Sequence, residues 1–489
     1  MSDTDFRQGY RRWHLGLLVV VLVGIGLRFW QIERFKALVF DEVYFAKFAQ
    51  AYLAGEPLFD AHPPLGKYFI AAGIWLSQHS PFLSAFEGGM LTPEIGLTPF
   101  SYRWMNAWVG SCIPLLVAGI AHGLRWGSIH QRWTFALLAG GFVAIDGLFV
   151  TESRYALINI YMVFLGLLGH WLWLQVSLDS QTVPVFKKIV YRFCAAVALG
   201  GAIATKWNGL GYLLSLFIWE AWQISKIHHQ ALLKRKLVSG LVCCLIYGVA
   251  IPAITYSLIW WPHLRLTHLH LTGGALASLH VSLFRFHQQL TSSHAACSAW
   301  YSWPLLIKPI AYWYEEVGSQ AYTVNNMGNP ILWWLSSSGM MMLGLEQMIR
   351  LKNKLENKLK RKSDVEPMAK PAAKPAAKPE NVSWTAADSA ADSVSAYLLI
   401  GYLANWLPWI LVGRCTFIYL YMPAVVFSFM TLAWLLSEWL YASSTRVRAM
   451  GLVMLGAIAL AFFFWLPLSL GSPLTPERLH LRWWLSSWI

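Results

Sequence analysis

The chain has 489 residues, of which 57% are hydrophobic and only 13% are charged. Soluble domains carry about 25% charged residues, so this composition excludes an ordinary soluble protein and predicts one that is embedded in a bilayer. The net charge of +14 does not require a nucleic-acid partner, because the basic residues concentrate in loops predicted to lie against anionic lipid in the cytoplasm.

Apolar runs of about 20 residues recur along the whole length and predict transmembrane helices, since a helix pairs its backbone polar groups internally. We predict eleven spans: 14–33, 105–124, 133–151, 156–178, 190–205, 208–224, 237–260, 331–349, 395–412, 416–438 and 449–468. The first run lacks a small-residue cleavage site, which predicts a retained helix rather than a signal peptide. The predicted fold class is an all-α polytopic membrane protein.

Basic residues fall in every second connection, which orients the spans with the N-terminus in the cytoplasm. The connections predicted to be cytoplasmic contain Arg11, Arg125, Lys187, Lys234 and Arg446, and include the linker 350–394. The same alternation places 34–104 and 261–330 outside. A span at 68–78 would invert every later loop, so we predict a short interfacial helix there.

This topology divides the chain into three parts. Residues 1–260 are predicted to form an N-terminal transmembrane domain with the first outer loop, 261–330 a second outer loop, and 331–489 a C-terminal region of about four spans. The second outer loop is rich in Trp and Tyr, and its stretch 301–316, YSWPLLIKPIAYWYEE, predicts an amphipathic segment lying on the bilayer.

The cysteines and histidines give no metal-ligand pattern. Cys297 and Cys415 both fall on the outer side, and the sequence leaves open whether they form a disulfide. Six histidines lie in the second outer loop, but no pair has helical ligand spacing beside a carboxylate. We therefore favour hydrogen-bonded interfacial histidines over a metal site.

The first outer loop carries the most chemistry, in the stretch FDEVYFAKFAQAYLAGEPLFDAHPPLGKYFI. Asp41 and Glu42 are adjacent, so on a helix they point about 100° apart, and one can act while the other orients a neighbouring group. Two prolines follow His62 and stiffen the presentation of His62 and Lys67. An acidic helix cap and a proline turn would explain only one of these acids.

Other charged residues lie at the outer ends of predicted spans. They are Glu152, Arg154, Lys206 and Arg414. A charge at the hydrocarbon boundary is costly unless it is paired or faces water or a ligand, although any single one could be an interfacial anchor. Three cations near a carboxylate pair predict an anionic lipid headgroup with a catalytic acid or base beside it.

These stretches resemble the protein O-mannosyltransferases. The first loop is similar in its Asp-Glu pair and His-Pro-Pro-Leu segment, DGLFVTESRYALIN in its Ser-Arg-Tyr, and ATKWNGLG in its lysine. YSWPLLIKPIAYWYEE, GNPILWW and RCTFIYLYMPAVVF resemble the C-terminal region of bacterial members. Residues 261–330 are too few for the β-trefoil domain of the eukaryotic enzymes, so the resemblance implies a bacterial-type member.

The resemblance implies a GT-C glycosyltransferase of the plasma membrane with an extracytoplasmic active site. The donor would be polyprenyl-phosphate mannose, and the acceptor a Ser or Thr hydroxyl of a secreted or membrane protein. Asp41 matches the family's base, and Glu42 competes for that role. The substrate-binding residues implied are Glu42, His62, Lys67, Arg154, Lys206 and Arg414, of which Arg154 and Lys206 would hold the phosphate. No cofactor is required for an inverting displacement of a phosphate leaving group, although the acids leave a divalent metal open.

Two other functions stay open at this point. A GT-C enzyme that transfers another lipid-linked sugar to a lipid or glycan would share the aspartate of the first loop, but the Asp-Glu and His-Pro-Pro-Leu details favour a protein acceptor. A transporter would place polar residues near the membrane midplane on broken helices, whereas these candidates lie at outer helix ends.

Overall fold

The fold is known from a computed structural model that describes residues 3–177, 183–227, 230–290, 294–363 and 386–488. The first helices are α1 (Asp3–Phe29), α2 (Glu42–Ala54), α3 (Leu65–His79), α4 (Pro81–Ser84), α5 (Pro99–Gly123), α6 (Ile129–Ile145), α7 (Gly147–Arg154), α8 (Asn159–Ser177) and α9 (Val185–Thr205). The elements that follow are α10 (Leu210–Ser225), α11 (Gln230–Cys243), α12 (Ile251–Leu266), α13 (Gly273–Gln289), β1 (Ile310–Val317), β2 (Gln320–Asn326), α14 (Pro330–Ser363), α15 (Ala386–Trp406), α16 (Met422–Leu440), α17 (Thr445–Leu470) and α18 (Pro476–His480).

The predicted spans all fall on helices, but the count of eleven is not confirmed. Within the described residues, eight helical stretches are long and apolar enough to cross a membrane, and α6 with α7 adds a ninth as a bent pair. The other two predicted spans fall on α10 and α14. α10 has 16 residues, fewer than the roughly 20 that a crossing needs.

Burial separates the interior helices from those that face lipid. In α16, 94% of the most apolar stretch is buried, and this helix packs against α6, α14, α15 and α17. In contrast, α1 and the continuous helix Lys236–Leu266 have only 17% and 11% of that stretch buried. Because these exposed faces are apolar, they are suited to contact with hydrocarbon.

The run 68–78 lies within α3, which has 15 residues and is not among the candidate spans. α3 packs against α2 and α5, so it belongs to the structure of the first outer loop. Its position at the membrane interface stays a prediction.

A β-hairpin occupies part of the stretch where the sequence predicts an amphipathic segment on the bilayer. β1 and β2 pair antiparallel, with an irregularity between Ala311 and Trp313. The intervening Tyr312 is buried, whereas Ala311 before it is exposed. This alternation fits a strand with one covered face. The backbone of Ala321 in β2 bonds in both directions to Leu474, which joins the hairpin to the C-terminal segment.

A break between α6 and α7 orients the candidate site. Asp146 begins α7, where its Oδ1 accepts from the backbone nitrogens of Leu148 and Phe149, and the two helices meet at 56°. A Cβ at Gly147 would stand 2.3 Å from the carbonyl oxygen of Met327, so the close approach of the hairpin's end requires glycine. The break directs α7 toward the hairpin.

Candidate active site

Glu42 is fully buried, and both of its carboxylate oxygens accept hydrogen bonds. Its carboxylate forms two contacts with Arg103, Nε to Oε1 at 2.8 Å and NH2 to Oε2 at 2.7 Å. It also accepts from the backbone nitrogens of Val39 and Ala156, both at 2.8 Å. Arg103 donates in addition to the carbonyls of Ile32, Phe35 and Ala37. Glu42 therefore joins the loop after α1 to α5 and the loop after α7.

Asp41 lies at the start of α2 and makes no side-chain cap bond to that helix. Burial raises the pKa of Asp41 to about 6, with the charge of Lys206 opposing the shift and that of Asp60 adding to it. A carboxylate of this kind is ionised at neutral pH and still basic enough to accept a proton. Of the two adjacent acids, Asp41 has the properties of a base.

The backbone before Asp41 is held in a sparsely populated conformation. Phe40 has φ of +53°, in the left-handed region that non-glycine residues rarely adopt. Its ring stacks on Tyr312 with 4.0 Å between ring centres. Backbone conformations of this kind persist where surrounding contacts fix them, and they concentrate at functional sites. The stacking therefore couples the hairpin to the position of Asp41.

Lys206 directly follows α9 and is buried. Its Nζ donates to Asn159 Oδ1 at 2.9 Å and stands 5.0 Å from the centre of the Tyr419 ring. Burial lowers the pKa of Lys206 to about 8, while the charges of Asp41 and Glu152 act to raise it. The ammonium group is thus a buried cation, and the charges of these carboxylates compensate it in part.

Glu152 on α7 holds the side chain of Asn159, which is the hydrogen-bond partner of Lys206. It is fully buried, and its Oε2 accepts from Asn159 Nδ2 at 3.1 Å. Its Oε1 accepts from Asn326 Nδ2 at 2.6 Å and from the hydroxyl of Tyr312. The network therefore runs from the hairpin through Glu152 and Asn159 to Lys206.

Lys67 and His62, at the His-Pro-Pro segment, have different surroundings. Lys67 is buried and pairs with Asp60, and its Nζ also donates to the carbonyl of His62 at 2.8 Å. The ring of His62 lines a cavity and lies 5.7 Å from the ring of His287. Burial, followed by the cations Lys206 and Lys67, lowers the pKa of His62 well below its usual value, so it is neutral at pH 7. Lys67 holds the loop that presents His62.

Arg154 contacts the end of α1 instead of the cavity. Its NH1 donates to the carbonyls of Leu27 and Trp30 at 2.9 and 2.7 Å, and its NH2 to that of Gln31 at 3.3 Å. A guanidinium at this position satisfies the terminal carbonyls of a helix and complements its dipole. The structure does not bring Arg154 together with Lys206, so phosphate binding by Arg154 stays a prediction.

A cavity of about 1610 Å³ opens beside Lys206. Arg414 lines the same cavity, and within the described ranges no carboxylate pairs with its guanidinium. The remaining wall is largely apolar and includes Leu210, Leu214, Phe217, Trp409 and Leu411. The cavity therefore combines a cationic region with a hydrocarbon-like wall.

Cys297 and Cys415 form a disulfide at the wall of this cavity. The sequence left this pairing open. Across the part of the chain that the structure describes, no three His, Cys, Asp or Glu side chains form a group that could hold a metal ion. The prediction that no cofactor is needed is not tested by the geometry.

Sequence reasoning identified the charged residues at the helix ends but missed the groups that connect them. The sequence marks Glu152 only as a charge at a helix end and Tyr312 only as an interfacial aromatic residue, and it does not single out Asn159 or Asn326. The seven-residue separation of Glu152 and Asn159, across the break after α7, was the available signal. Nothing local indicates that Tyr312 reaches Glu152, 160 positions away.

Two family models together match most of the chain. The model described as dolichyl-phosphate-mannose-protein mannosyltransferase matches residues 18–268, and the one described as the C-terminal four TMM region of protein-O-mannosyltransferase matches residues 274–488. The Drosophila melanogaster protein O-mannosyltransferase 1 is 27% identical over 50% of this chain, which covers 27% of that protein. The chain spans about a quarter to a third of the length of the animal relatives it matches.

A bacterial relative and a solved structure extend the match over nearly the whole length. The Mycobacterium tuberculosis polyprenol-phosphate-mannose–protein mannosyltransferase is 22% identical over 92% of this chain and 86% of its own. The Saccharomyces cerevisiae protein O-mannosyltransferase Pmt1-Pmt2 complex bound to the sugar donor superposes with a TM-score of 0.76, at 15% identity, over 98% of this chain and 93% of that one. At this identity the superposition shows that the GT-C fold is shared.

Proposed function

Because its residues 18–268 match the family model, the chain belongs to the dolichyl-phosphate-mannose-protein mannosyltransferase family, and we propose that it transfers mannose from a polyprenyl-phosphate carrier to Ser or Thr hydroxyls of proteins outside the cytoplasm. The relatives' names supply the sugar, the carrier and the protein acceptor. Family membership favours this reaction over a transporter or a lipid-acceptor transferase.

The observation that carries the proposal is the position of Lys206, a buried cation in the wall of the cavity, together with the carboxylate of Asp41, which acts on its charge. One group can accept a proton, and the other can bind an anion. A transfer from a sugar phosphate needs both, because the acceptor hydroxyl loses its proton while the phosphate gains negative charge.

The reaction balances with these two groups. The acceptor oxygen forms its bond to the anomeric carbon of mannose as the bond from that carbon to the phosphate oxygen breaks. The hydroxyl proton passes to the Asp41 carboxylate, and the polyprenyl phosphate leaves with the electron pair. Attack from the face opposite the phosphate inverts the anomeric centre. A phosphate is stable as an anion, so no general acid is needed.

The phosphate is proposed to bind Lys206 and Arg414, with charge-assisted hydrogen bonds. The apolar wall formed by Leu210, Leu214 and Phe217 would then receive the polyprenyl chain. Asn159 and Glu152 keep Lys206 directed toward this place. The neutral His62 ring adds a polar contact without adding charge to the site.

The disulfide supports an extracytoplasmic site, because disulfides persist in oxidising compartments. Single cysteines in place of Met90 and Ser443, in a background without the four free cysteines, test this orientation. Met90→Cys is expected to react with an impermeant maleimide on intact cells, whereas Ser443→Cys should react only after lysis. The reverse pattern would contradict the proposed sidedness.

The function itself is tested with purified protein in detergent. Polyprenyl-phosphate [³H]mannose and a Ser/Thr-rich peptide are the expected substrates, and a peptide with Ala at every Ser and Thr is the control. Label should enter only the first peptide. Transfer to neither peptide but to an added lipid acceptor would replace the proposed acceptor class.

A further inference from the structure

The disulfide joins two segments that are far apart in the chain, 118 residues from Cys297 to Cys415. Beside it, the backbone nitrogen of Ser298 donates to the carbonyl of Thr416 at 2.8 Å. The hydroxyl of Thr416 donates back to the carbonyl of Ser298 at 2.7 Å. The second outer loop and the connection from α15 to α16 are thus joined at adjacent positions by one covalent bond and two hydrogen bonds.

Aromatic packing orders the chain on one side of this junction. The Trp300 and Trp406 rings lie 5.0 Å apart, and Trp406 Nε1 donates to the carbonyl of Trp300 at 3.0 Å. Trp303 and Trp409 pack at 5.5 Å. Residues 412–417 lie between two short 3₁₀ segments and have no helix or strand of their own. The disulfide is therefore the strongest constraint on this connection.

Arg414 lies in that connection, next to the bonded Cys415. Its NH1 donates only to the carbonyl of Cys415, at 3.2 Å, among the residues described. The charge of Arg414 acts on Lys206, His62 and His287, which line the same cavity. A guanidinium with no anionic partner, in a cavity wall that also holds the ammonium group of Lys206, is a poor arrangement unless an anion binds between them.

We infer that the Cys297–Cys415 disulfide positions Arg414 for the phosphate of the donor, so that donor affinity depends on the oxidised state of this pair. The inference rests on the proposed function, since it requires an anionic donor in the cavity. Arg414 is the residue that touches the ligand, and the disulfide acts through it.

Reduction gives the inference a defined chemical step. A dithiol reagent transfers two electrons and two protons to the cystine, which leaves two thiols on the chain, and the reagent becomes a cyclic disulfide. The two Ser298–Thr416 hydrogen bonds and the tryptophan contacts then hold the segments together without a covalent bond next to Arg414. Arg414 gains conformational freedom. Binding of the phosphate must then order this segment again, and the entropy cost of that ordering weakens donor binding.

The test compares Cys297→Ser/Cys415→Ser with a matched variant in which Cys112, Cys194, Cys243 and Cys244 are all serine. Kinetics are measured with polyprenyl-phosphate mannose and a Ser/Thr peptide. We expect the KM for the donor to rise roughly tenfold in the first variant, the size of a weakened charge-assisted contact. The KM for the peptide should stay within about twofold, since the junction does not touch the hydroxyl's path. The matched variant should behave as the wild type and should still respond to dithiol.

A double-mutant cycle with Arg414→Ala separates positioning from general stability. If the disulfide acts through Arg414, its removal in the Arg414→Ala background should raise the donor KM no further. Independent, additive effects would overturn the inference, as would an unchanged donor KM or a uniform fall in turnover that follows thermal unfolding. Failure of the proposed function is distinguishable, because the wild type itself would then transfer no mannose.

Discussion

Arg103 meets Glu42 through two nitrogen–oxygen contacts, of 2.8 and 2.7 Å, where both side chains are inaccessible to solvent. Two backbone nitrogens complete the coordination of the carboxylate. This pairing separates two acids that are adjacent in the sequence. Glu42 has the contacts of a structural residue, and Asp41 is left as the acid coupled to Lys206.

Glu42→Gln is expected to lower the thermal stability of the protein strongly. It leaves the buried guanidinium of Arg103 without its counter-ion, and breaking one side of a buried pair costs about 3–5 kcal/mol. Unfolding in detergent, followed by intrinsic fluorescence, measures the effect. Asp41→Asn is the matched control and should unfold near the wild-type temperature. Equal unfolding temperatures for wild type and Glu42→Gln would contradict a structural role.

The pH dependence of kcat/KM for the donor should be bell-shaped. The pKa of Asp41 is raised to about 6, so the carboxylate takes up a proton and loses its basicity as the pH falls through 6. The pKa of Lys206 is lowered to about 8, so the phosphate loses a cation as the pH rises through 8. Because the two groups interact, the two limbs of the profile give apparent pKa values of the Asp41–Lys206 pair rather than of either residue alone.

The variant Lys206→Arg identifies the alkaline limb of that profile. Arginine stays protonated throughout the range, so the fall above pH 8 should disappear while the acid limb stays. Persistence of the alkaline limb in Lys206→Arg would assign it to another group.

Glu152→Gln should move the alkaline limb to lower pH. Glu152 raises the pKa of Lys206 by its charge, and glutamine keeps the shape while removing that charge. Lys206 would then lose its proton more easily, and donor affinity at pH 8 would fall more than at pH 6.5. Glu56→Gln, which changes an exposed acid in the same way, should leave the profile unaltered. An unshifted limb in Glu152→Gln would show that the network does not act on Lys206.

Lys206→Ala is expected to affect donor binding, whereas Arg154→Ala is expected to affect thermal stability. Loss of Lys206 should raise the donor KM about ten- to hundredfold, since a hydrogen bond to a charged group contributes roughly 1.5–3 kcal/mol. Loss of Arg154 should chiefly lower thermal stability, because its guanidinium satisfies carbonyls at the end of α1. A large rise of donor KM in a normally stable Arg154→Ala variant would restore Arg154 as a phosphate ligand.

The helices were predictable because a bilayer demands long apolar runs, and every predicted span falls on a helix. The hairpin was not, since the stretch around Tyr312 is aromatic enough for an interface and its alternation covers only a few residues. α10 shows a further limit. It is apolar enough to suggest a span, but its 16 residues are too few to confirm one by length.

Motif and location together single out Asp41, His62 and Lys206 in the sequence, and their roles stay predictions. Contacts between distant segments could not be deduced. The pairing of Glu42 with Arg103, the approach of Tyr312 to Glu152, and the disulfide all depend on how helices pack, which local patterns do not encode. Arg154 illustrates the converse, because a position at a helix end does not fix the direction of its side chain.

The most direct test of the account is single-turnover mannose transfer by Asp41→Asn, measured beside donor binding. The account predicts that turnover falls about 10²–10⁴-fold, as expected when a general base is removed, while the affinity for polyprenyl-phosphate mannose changes little. Near-normal transfer by a folded Asp41→Asn protein, with transfer lost only in a stable Glu42→Gln protein, would contradict it.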